Sequence, residues 1–433
     1  MKFPGQRKSK HFFPVSKIKD NTITTKNIKS STYIAGIDQI LIDIEAEVDP
    51  EVLKKYNISL SDSIIIEKEQ ADELYMYLKE KNLIKSELAG GSIGNTLHNY
   101  SLLADDKSVL FGAMSKEINI GSHPYIYLRN TSSRVDLNYL SPITGDIGKC
   151  FTLISKDGER SFAISKNQMN MLHLNSINKN IIQSSVALVI TSYLMRVDES
   201  ETIDKATLKA IEYAKEANVP VVLTLGTSLL IKDNSDYWKN FIKENVTILA
   251  MNNSEAFALT GIDDSLLSIK ESLNYCDMVL CTAGEKGLYM GGYTDINKKR
   301  KTSREILNES IEKFNEYEFS RPMKKEYCDN PIKVYSHISP YMGGPQKIFN
   351  TNGAGDAALA ALLHDVAANK YHENNVKNSS KYILGSLSYS SFSQICKYAN
   401  RVAYIILEQN GSRLTKGLPE KEDSLDLNYH WEK

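Results

Sequence analysis

Val186-Ala187-Leu188-Val189-Ile190-Thr191 opens the stretch that decides the fold, which continues to about Gly291. This short apolar run is typical of a buried strand. Residues 202–217 then show the 3.6-residue apolar spacing of a helix, which Asn218 and Pro220 end. Similar apolar runs follow at residues 221–225, 246–250 and 278–282. Apolar strands that alternate with helices predict βαβ units, and therefore a mostly parallel sheet that helices cover on both faces.

The regions outside this stretch have a different pattern. Tyr33 to Val48 alternates like a strand with acidic residues embedded in it, whereas Gln70 to Lys81 has the apolar spacing of a helix. Residues 122–164 are rich in Thr, Ser and Gly and contain short strand-like runs. We interpret both strand-like regions as sheet edges and a smaller β appendage. The charged residues 294–321 are predicted to be helical.

The composition excludes several classes of protein. The chain has 433 residues, of which 42% are hydrophobic and 24% charged, as in ordinary globular proteins. Its 52 basic and 53 acidic residues argue against a nucleic-acid partner. No apolar run approaches the roughly 18 residues of a membrane-spanning helix, and the basic start at Met1–Lys10 lacks the apolar stretch of a secretory signal. The five cysteines form no zinc or disulfide pattern, which favours reduced thiols in a cytoplasmic protein without a membrane partner.

The motif with the most chemical content is Asn350-Thr351-Asn352-Gly353-Ala354-Gly355-Asp356, which a run rich in Ala and Leu follows. That run predicts a helix that begins near Gly355. Glycines let the backbone approach a ligand closely, and the first N–H groups of a helix lack intrahelical partners. The motif therefore predicts an anion site suited to a phosphate. Asp356 is either a charge that stabilises the helix start or a base beside the phosphate.

The same residues also match G-x-G-x-x-A, the fingerprint of dinucleotide-binding proteins. The match lies far from the N-terminus, and no acidic residue follows about 20 positions on, where Val376 and Lys377 stand. We therefore reject a nicotinamide-dependent enzyme.

Three further turns follow apolar runs, where ligands bind in open α/β sheets. They are the glycine-rich turn Ala89-Gly90-Gly91-Ser92, the turn Asn252-Asn253-Ser254-Glu255 and the turn Thr282-Ala283-Gly284-Glu285-Lys286-Gly287. Asn252 and Glu255 either hold a hydrated magnesium ion or form a helix N-cap with its capping-box acid. Taken alone, they favour the cap.

In this order along the chain, the Gly-Gly turn, N-x-x-E, T-x-G-x-x-G and N-T-N-G-A-G-D resemble the ribokinase-type (PfkB) carbohydrate and nucleoside kinases. The resemblance narrows to the bacterial members of this family that phosphorylate inosine and guanosine. It is carried by the stretches Met1–Gly5, Ala35–Gln39, Gly90–Tyr100, Tyr335–Ile338 and Tyr341–Pro345.

The resemblance implies an α/β, ribokinase-like fold in one domain over residues 1–433. This fold is a doubly wound sandwich with a mostly parallel central sheet and a smaller β lid. The lid would be formed from parts of residues 33–60 and 122–165.

The family assigns roles to the matching positions. Asp356 would take the proton from the nucleoside 5′-hydroxyl, and Gly353, Ala354 and Gly355 would form the anion hole for the γ-phosphate. Asp43 matches the acid that grips the ribose hydroxyls in nucleoside kinases. The other substrate-binding candidates in the matching stretches are Asp38, Gly91, Ser92, Ile93, Gly94 and Asn95. Arg196, which follows a predicted strand, either faces the substrate or forms a surface salt bridge.

The nucleotide would lie on the later motifs. Asn400 would flank the adenine, and Gly355 would also contact the nucleotide. The turn that would cover the ribose and phosphates of ATP consists of Thr282, Ala283, Gly284, Glu285, Lys286 and Gly287. Asn252 and Glu255 would organise Mg2+ through water.

The resemblance thus implies ATP-dependent phosphorylation of inosine and guanosine at the 5′-hydroxyl, giving IMP and GMP in purine salvage. The alternatives are another nucleoside or sugar kinase of this family, or a catalytically silent nucleotide-binding sensor, against which the retained Asp356 argues. The family usually has Asp, which helps to bind a monovalent cation, where this chain has Asn350. A K+ ion and a homodimer both stay open.

Overall fold

The computed structural model describes residues 32–60, 63–104, 106–342, 344–345, 347–376 and 382–417. The basic start and the polar tail beyond residue 417 lie outside the described residues. The strands, in chain order, are β1 (Tyr33–Ile37), β2 (Leu41–Glu47), β3 (Ser63–Ile65), β4 (Ile84–Ala89), β5 (Lys107–Ser115), β6 (Val135–Asp136), β7 (Leu140–Ile143), β8 (Gly148–Ile154), β9 (Arg160–Ser165), β10 (Leu188–Thr191), β11 (Val221–Thr224), β12 (Ile248–Asn252), β13 (Met278–Thr282), β14 (Leu288–Asp295) and β15 (Pro331–Ile338).

The α-helices of the described residues complete the inventory. They are α1 (Pro50–Lys55), α2 (Lys68–Glu80), α3 (Ser92–Ala104), α4 (His123–Arg129), α5 (Lys179–Ser184), α6 (Ile203–Glu216), α7 (Ser228–Lys232), α8 (Ser235–Asn245), α9 (Asn253–Thr260), α10 (Ser265–Ser272), α11 (Ala354–Asn375) and α12 (Phe392–Leu407).

The larger sheet is mostly parallel. Its strand order is β15-β14-β13-β12-β11-β10-β1-β5-β6, and β7 pairs with β5. The pairs from β13 through β6 are parallel, whereas β14 and β15 add an antiparallel edge. The carboxyl ends of the parallel strands therefore meet along one edge, which is where the chemically informative turns follow them.

Helices cover this sheet on both faces. Neighbouring residues of a strand point to opposite faces, so they belong to two different apolar clusters. Ile34 and Val189 lie in one apolar cluster, together with residues of α3, α11 and α12. Ala35 and Leu188 lie in the other cluster, together with residues of α6, α8 and α9. The predicted doubly wound α/β architecture is confirmed.

A second, five-stranded sheet has the order β3-β9-β8-β2-β4. It draws on residues 41–47, 148–154 and 160–165, as the sequence analysis expected for the β appendage, while β1 belongs to the larger sheet. Strand β4 has no clear signal in the sequence, because it reads Ile-Lys-Ser-Glu-Leu-Ala and is mostly half-buried. That the smaller sheet acts as a lid stays a prediction.

The helix predicted over residues 294–321 is wrong. The segment begins as the end of β14, makes one 3-10 turn at Ile296–Lys298 and contains no α-helix in its described remainder. Lys313 and Asn315 adopt φ angles of 55° and 67°, which a continuing helix excludes. The charged side chains are used instead in long-range pairing, since Arg304 binds the buried carboxylate of Glu318.

Candidate active site

The two glycine-rich turns meet at the starts of two helices. Gly353 caps α11 with a φ of 81°, so Asp356 lies in the first turn of that helix. The hydroxyl of Ser92, at the start of α3, donates a hydrogen bond of 2.7 Å to Asp356 Oδ1. Asn95 Nδ2 donates to Oδ2 of the same carboxylate at 3.4 Å. Tertiary structure therefore joins motifs that lie more than half the chain apart.

Two more carboxylates line this junction. Asp38 follows β1 and is 2% exposed; its Oδ2 accepts a hydrogen bond of 2.7 Å from the backbone N–H of Gly94. Gly91 has a φ of 88°, and a Cβ on it would collide with Asp38 Oδ2. Asp43 lies on β2, and a Cβ on Gly90 would come within 2.6 Å of its carboxylate. The glycines are required here because the backbone turns tightly against both acids.

Burial raises the pKa of Asp38 and of Asp43 to about 7, and that of Asp356 to about 6. The charge of Asp356 also raises the pKa of Asp38 and of Asp43, because a negative charge disfavours a second one nearby. The Arg413 guanidinium lowers the pKa of all three. A cluster of shifted carboxylates at a junction of turns is typical of a functional site.

Arg413 was not identified from the sequence. It follows α12 and is 9% exposed, and it donates from Nε to Asn95 Oδ1 at 2.9 Å and from Nη2 to the carbonyl of Gly90 at 3.1 Å. A lone arginine in Gly-Ser-Arg-Leu has no sequence signal, because its partners come from α3 and from the turn before it.

Arg160, on β9 of the smaller sheet, was also missed. Its Nη1 donates to Asn350 Oδ1 at 3.0 Å, to Thr351 Oγ1 at 3.1 Å and to Asn352 Oδ1 at 3.2 Å. The smaller sheet is thereby tied to the loop that leads into the glycines of α11. Asn350, which stands where the resemblance led us to expect Asp, accepts a hydrogen bond from this cation.

Asn252 and Glu255 form the cap that the sequence favoured. Asn252 Oδ1 accepts from the Glu255 N–H at 2.9 Å, while the Glu255 carboxylate accepts from Asn252 N at 2.9 Å and from Asn252 Nδ2 at 2.8 Å. Burial raises the pKa of Glu255 to about 7, with a smaller contribution from the charge of Asp356. Within the described ranges, no group of three or more His, Cys, Asp or Glu residues forms a metal cluster.

The nucleotide-binding candidates come together beside the end of β15. Thr282 ends β13 and the residues Gly284–Lys286 form a 3-10 turn. Gly287 has a φ of 90°, and a Cβ on it would collide with the carbonyl of Ile338. Asn400 Nδ2 donates to the next carbonyl, that of Ser339, at 2.7 Å. The predicted turn and Asn400 thus reach neighbouring residues of one segment.

Arg196 lies at the end of the 3-10 turn Ser192–Met195 and is half-buried. Its charge lowers the pKa of Tyr193, which burial raises, and the charges of Asp356 and Glu255 act on that same phenol. Over the described part of the chain, no hydrogen bond or ion pair joins Arg196 to the carboxylate cluster. Arg196 is near the site but outside its hydrogen-bonded centre.

Comparison with known proteins agrees with this geometry. Residues 124–302 match the family described as "pfkB family carbohydrate kinase". The chain is 56% identical to the guanosine-inosine kinase of Escherichia coli (strain K12) over 436 residues, which covers 100% of both chains. The chain belongs to the PfkB family of kinases. This PfkB kinase takes its phosphoryl group from ATP, and the prediction that it is an enzyme is confirmed.

Solved structures show the same fold. The adenosine kinase of Sinorhizobium meliloti superposes with a TM-score of 0.66 at 17% identity, covering 92% of this chain and 100% of that chain. A probable sugar kinase of Rhizobium etli CFN 42 has the same TM-score and identity, covering 91% and 98%. The ribokinase-like fold is confirmed. The helices described for this PfkB kinase include none that is long and apolar enough to cross a membrane.

Proposed function

We propose that this kinase transfers the γ-phosphoryl group of ATP to the 5′-hydroxyl of guanosine and inosine, giving GMP and IMP. The observation that carries the proposal is the placement of Asp356 in the first turn of α11, where Ser92 and Asn95, at the start of α3, bind its carboxylate. A base and a phosphate-binding helix start are thereby held at one point. The full-length identity to guanosine-inosine kinases supports the choice of nucleoside.

In this proposal Asp356 accepts the proton of the 5′-hydroxyl as that oxygen attacks the γ-phosphorus. The first N–H groups of α11, at Ala354 and Gly355, face the transferred phosphoryl group, since they have no intrahelical partner. Asp43 and Asp38 accept hydrogen bonds from the ribose, while Gly91 and Asn95 line its pocket beside Ser92, Ile93 and Gly94. Phosphoryl transfer requires positioning and charge stabilisation more than covalent chemistry, which this arrangement supplies.

The turn from Thr282 to Gly287 would hold the ribose and phosphates of ATP, and Asn400 would lie beside the adenine. This placement is supported by their common neighbours, Ile338 and Ser339, at the end of β15. Arg196 is proposed to face the nucleoside from the end of the 3-10 turn that follows β10.

A magnesium ion fits the donor chemistry of Asn252 and Glu255. The Glu255 carboxylate is buried and forms no ion pair with a described residue, so a nearby cation would stabilise its charge. Both of its oxygens already bind Asn252, which leaves contact through water, the usual arrangement for Mg2+ that arrives with phosphates. When bound, the ion neutralises charge on the phosphates.

A potassium ion and a homodimer complete the proposal. Asn350 Oδ1 already accepts hydrogen bonds from Arg160 and from the N–H of Asn352, so a monovalent cation would have to share that oxygen. Phosphorylation rates measured with and without potassium test the cation, and the molecular mass in solution tests the homodimer.

The proposed function is tested by ADP release with guanosine, inosine, adenosine, deoxyguanosine and ribose as acceptors. Guanosine and inosine are expected to give the highest kcat/KM, with GMP and IMP as products. Faster phosphorylation of ribose or adenosine would contradict the proposal and favour another kinase of the family. The absence of ADP release with every acceptor would favour a nucleotide-binding sensor.

Activity should fall at acidic pH. Asp356 accepts a proton only when it is ionised, and its pKa is raised to about 6. Asp38 and Asp43, with pKa values of about 7, lose their charges in the same range. We expect kcat/KM for guanosine to decline below about pH 7, and by about tenfold per pH unit or more below pH 6. A profile that stays flat to pH 5 would contradict an ionised carboxylate as the base.

Arg160→Ala should lower kcat/KM for ATP by about tenfold or more. The variant removes three hydrogen bonds to the loop before Gly353, and charge-assisted bonds are worth about 1.5–3 kcal/mol. Lys156→Ala is the matched control, because Lys156 lies between β8 and β9 and, among the described residues, forms its ion pair with the exposed Asp49. Steady-state kinetics of both variants test this prediction. Equal kcat/KM values for ATP in the two variants would show that Arg160 does not support the phosphate-binding loop.

A further inference from the structure

A short segment after α12 contacts both α3 and the start of α11, the two helices that meet at the site. This segment, Gly411–Leu414, is called the C-terminal strap. Asn99 of α3 holds it at two backbone positions, since Nδ2 donates to the carbonyl of Ser412 at 3.1 Å and Oδ1 accepts from the Leu414 N–H at 2.7 Å. His98 Nδ1 accepts from the Ser132 N–H, so its Nε2 donates to the Leu414 carbonyl at 2.9 Å.

The strap also contacts the anion-hole loop. A Cβ on Gly353 would collide with Ser412, so the glycine and the strap pack closely together. Gly353 is the N-cap of α11, the helix that carries Asp356. The strap therefore lies between the substrate-side helix α3 and the phosphate-side helix α11.

The Arg413 guanidinium donates hydrogen bonds to acceptors in three segments of the chain. Besides Asn95 Oδ1 and the Gly90 carbonyl, Nη1 donates to Thr131 Oγ1 at 2.7 Å and to the Asn130 carbonyl at 3.3 Å. The group also lies 5.1 Å from the centre of the Tyr127 ring. A planar fork with five donors can satisfy such a set, whereas a lysine ammonium cannot reproduce its geometry.

The contact with Asn95 determines which way its amide faces. Because Arg413 has only donors, Asn95 must present its oxygen to Nε. The amide nitrogen then faces Asp356 Oδ2, to which it donates. If the amide turned over, its oxygen would face the carboxylate and repel it.

Arg413 also supplies a positive charge among the acidic groups that surround Asp356. The ionisable groups that act with it are Asp38, Asp43, Glu255, Tyr193 and Arg413, and four of these are acids or a phenol. Arg413 is the cation that acts on Asp38, Asp43 and Asp356 together. Its loss would leave three buried carboxylates without that compensation.

We propose that Arg413 is a positioning residue for phosphoryl transfer: it orients the Asn95 amide toward Asp356 and holds the backbone of the glycine turn at Gly90. This inference rests on the proposed role of Asp356 as the base. Arg413 acts through Asn95 and the turn, and it does not touch the reacting atoms.

The test compares Arg413→Lys and Arg413→Gln with the wild type, using the nucleoside that the wild type phosphorylates. Both variants should lower kcat by about tenfold to a hundredfold, since small misplacements of catalytic groups have effects of that size. KM for ATP should stay within about threefold. The acidic limb of the pH profile should move to higher pH in Arg413→Gln, which loses the charge, and should stay near that of the wild type in Arg413→Lys.

Arg321→Lys is the matched control, because Arg321 is equally buried at 9% exposure and binds the Ser388 carbonyl and Asn369 away from the site. It should lower the melting temperature but leave kcat of the folded protein unchanged. Thr131→Val is a milder second variant, which removes one acceptor of Arg413 and should lower kcat a few-fold; it keeps the test valid if Arg413→Gln does not fold.

The proposal is overturned if Arg413→Lys and Thr131→Val lose only thermal stability and retain wild-type kcat and pH dependence. It is also overturned if the kcat losses of the Arg413 variants equal that of Arg321→Lys. A wild type that does not act on guanosine or inosine overturns the proposed function instead, because the ratios of variant to wild type are measured on whichever acceptor is used.

Discussion

Asp356→Asn is expected to lower kcat by roughly 10²–10⁴, the usual contribution of a general base. The substitution keeps the shape of the side chain, and its amide oxygen can accept from Asn95 while its amide nitrogen donates to the Ser92 hydroxyl, so the fold and ATP binding should be retained. The amide cannot take the proton of the 5′-hydroxyl. Steady-state kinetics with guanosine and a separate ATP-binding measurement check the two parts.

Asp365→Asn provides the control on the same helix. Asp365 is buried in α11 and accepts hydrogen bonds from the N–H groups of Tyr389 and Ser390, so its role is structural. The control should keep kcat near that of the wild type, since the amide oxygen can still accept both hydrogen bonds. If Asp356→Asn stays within about threefold of the wild type, Asp356 is not the base.

Asp43→Ala should raise the nucleoside KM by tens-fold or more and leave the ATP KM nearly unchanged. A carboxylate accepts hydrogen bonds from two ribose hydroxyls, and each charge-assisted bond is worth about 1.5–3 kcal/mol. Asp72→Ala is the control, because Asp72 lies on α2 near the same sheet and pairs with Lys149. A defect on the ATP side would show that Asp43 serves the other substrate.

The same position links function to stability. Because burial raises the pKa of Asp43 to about 7, the folded protein binds a proton there that the unfolded chain has released between about pH 4 and pH 7. The contribution of this group is therefore most favourable at low pH and is lost as the pH rises through 7. Asp43→Asn should raise the melting temperature of the free enzyme at pH 8 by a few degrees while it weakens nucleoside binding.

The local pattern of apolar residues was sufficient to predict many of the helices and strands. The helix predicted over residues 202–217 is observed at Ile203–Glu216, and the strand predicted at Met278–Thr282 has those bounds. Apolar periodicity carries this information because burial on one or both faces is a property of consecutive residues. Residues 294–321 show the opposite case, since their charges suggested a helix, whereas Arg304 binds the buried Glu318 across a non-helical loop within the same segment.

The sequence by itself determined the parts of the site whose geometry is local. The glycines before Ser92 and Asp356 and the cap formed by Asn252 and Glu255 depend on residues within a few positions of one another. Only the tertiary structure decided that Arg413 orients Asn95 and that Arg160 holds the loop at Asn350. Those contacts join residues separated by 318 and 190 positions, and a guanidinium has no preferred neighbour until folding brings buried acceptors to it.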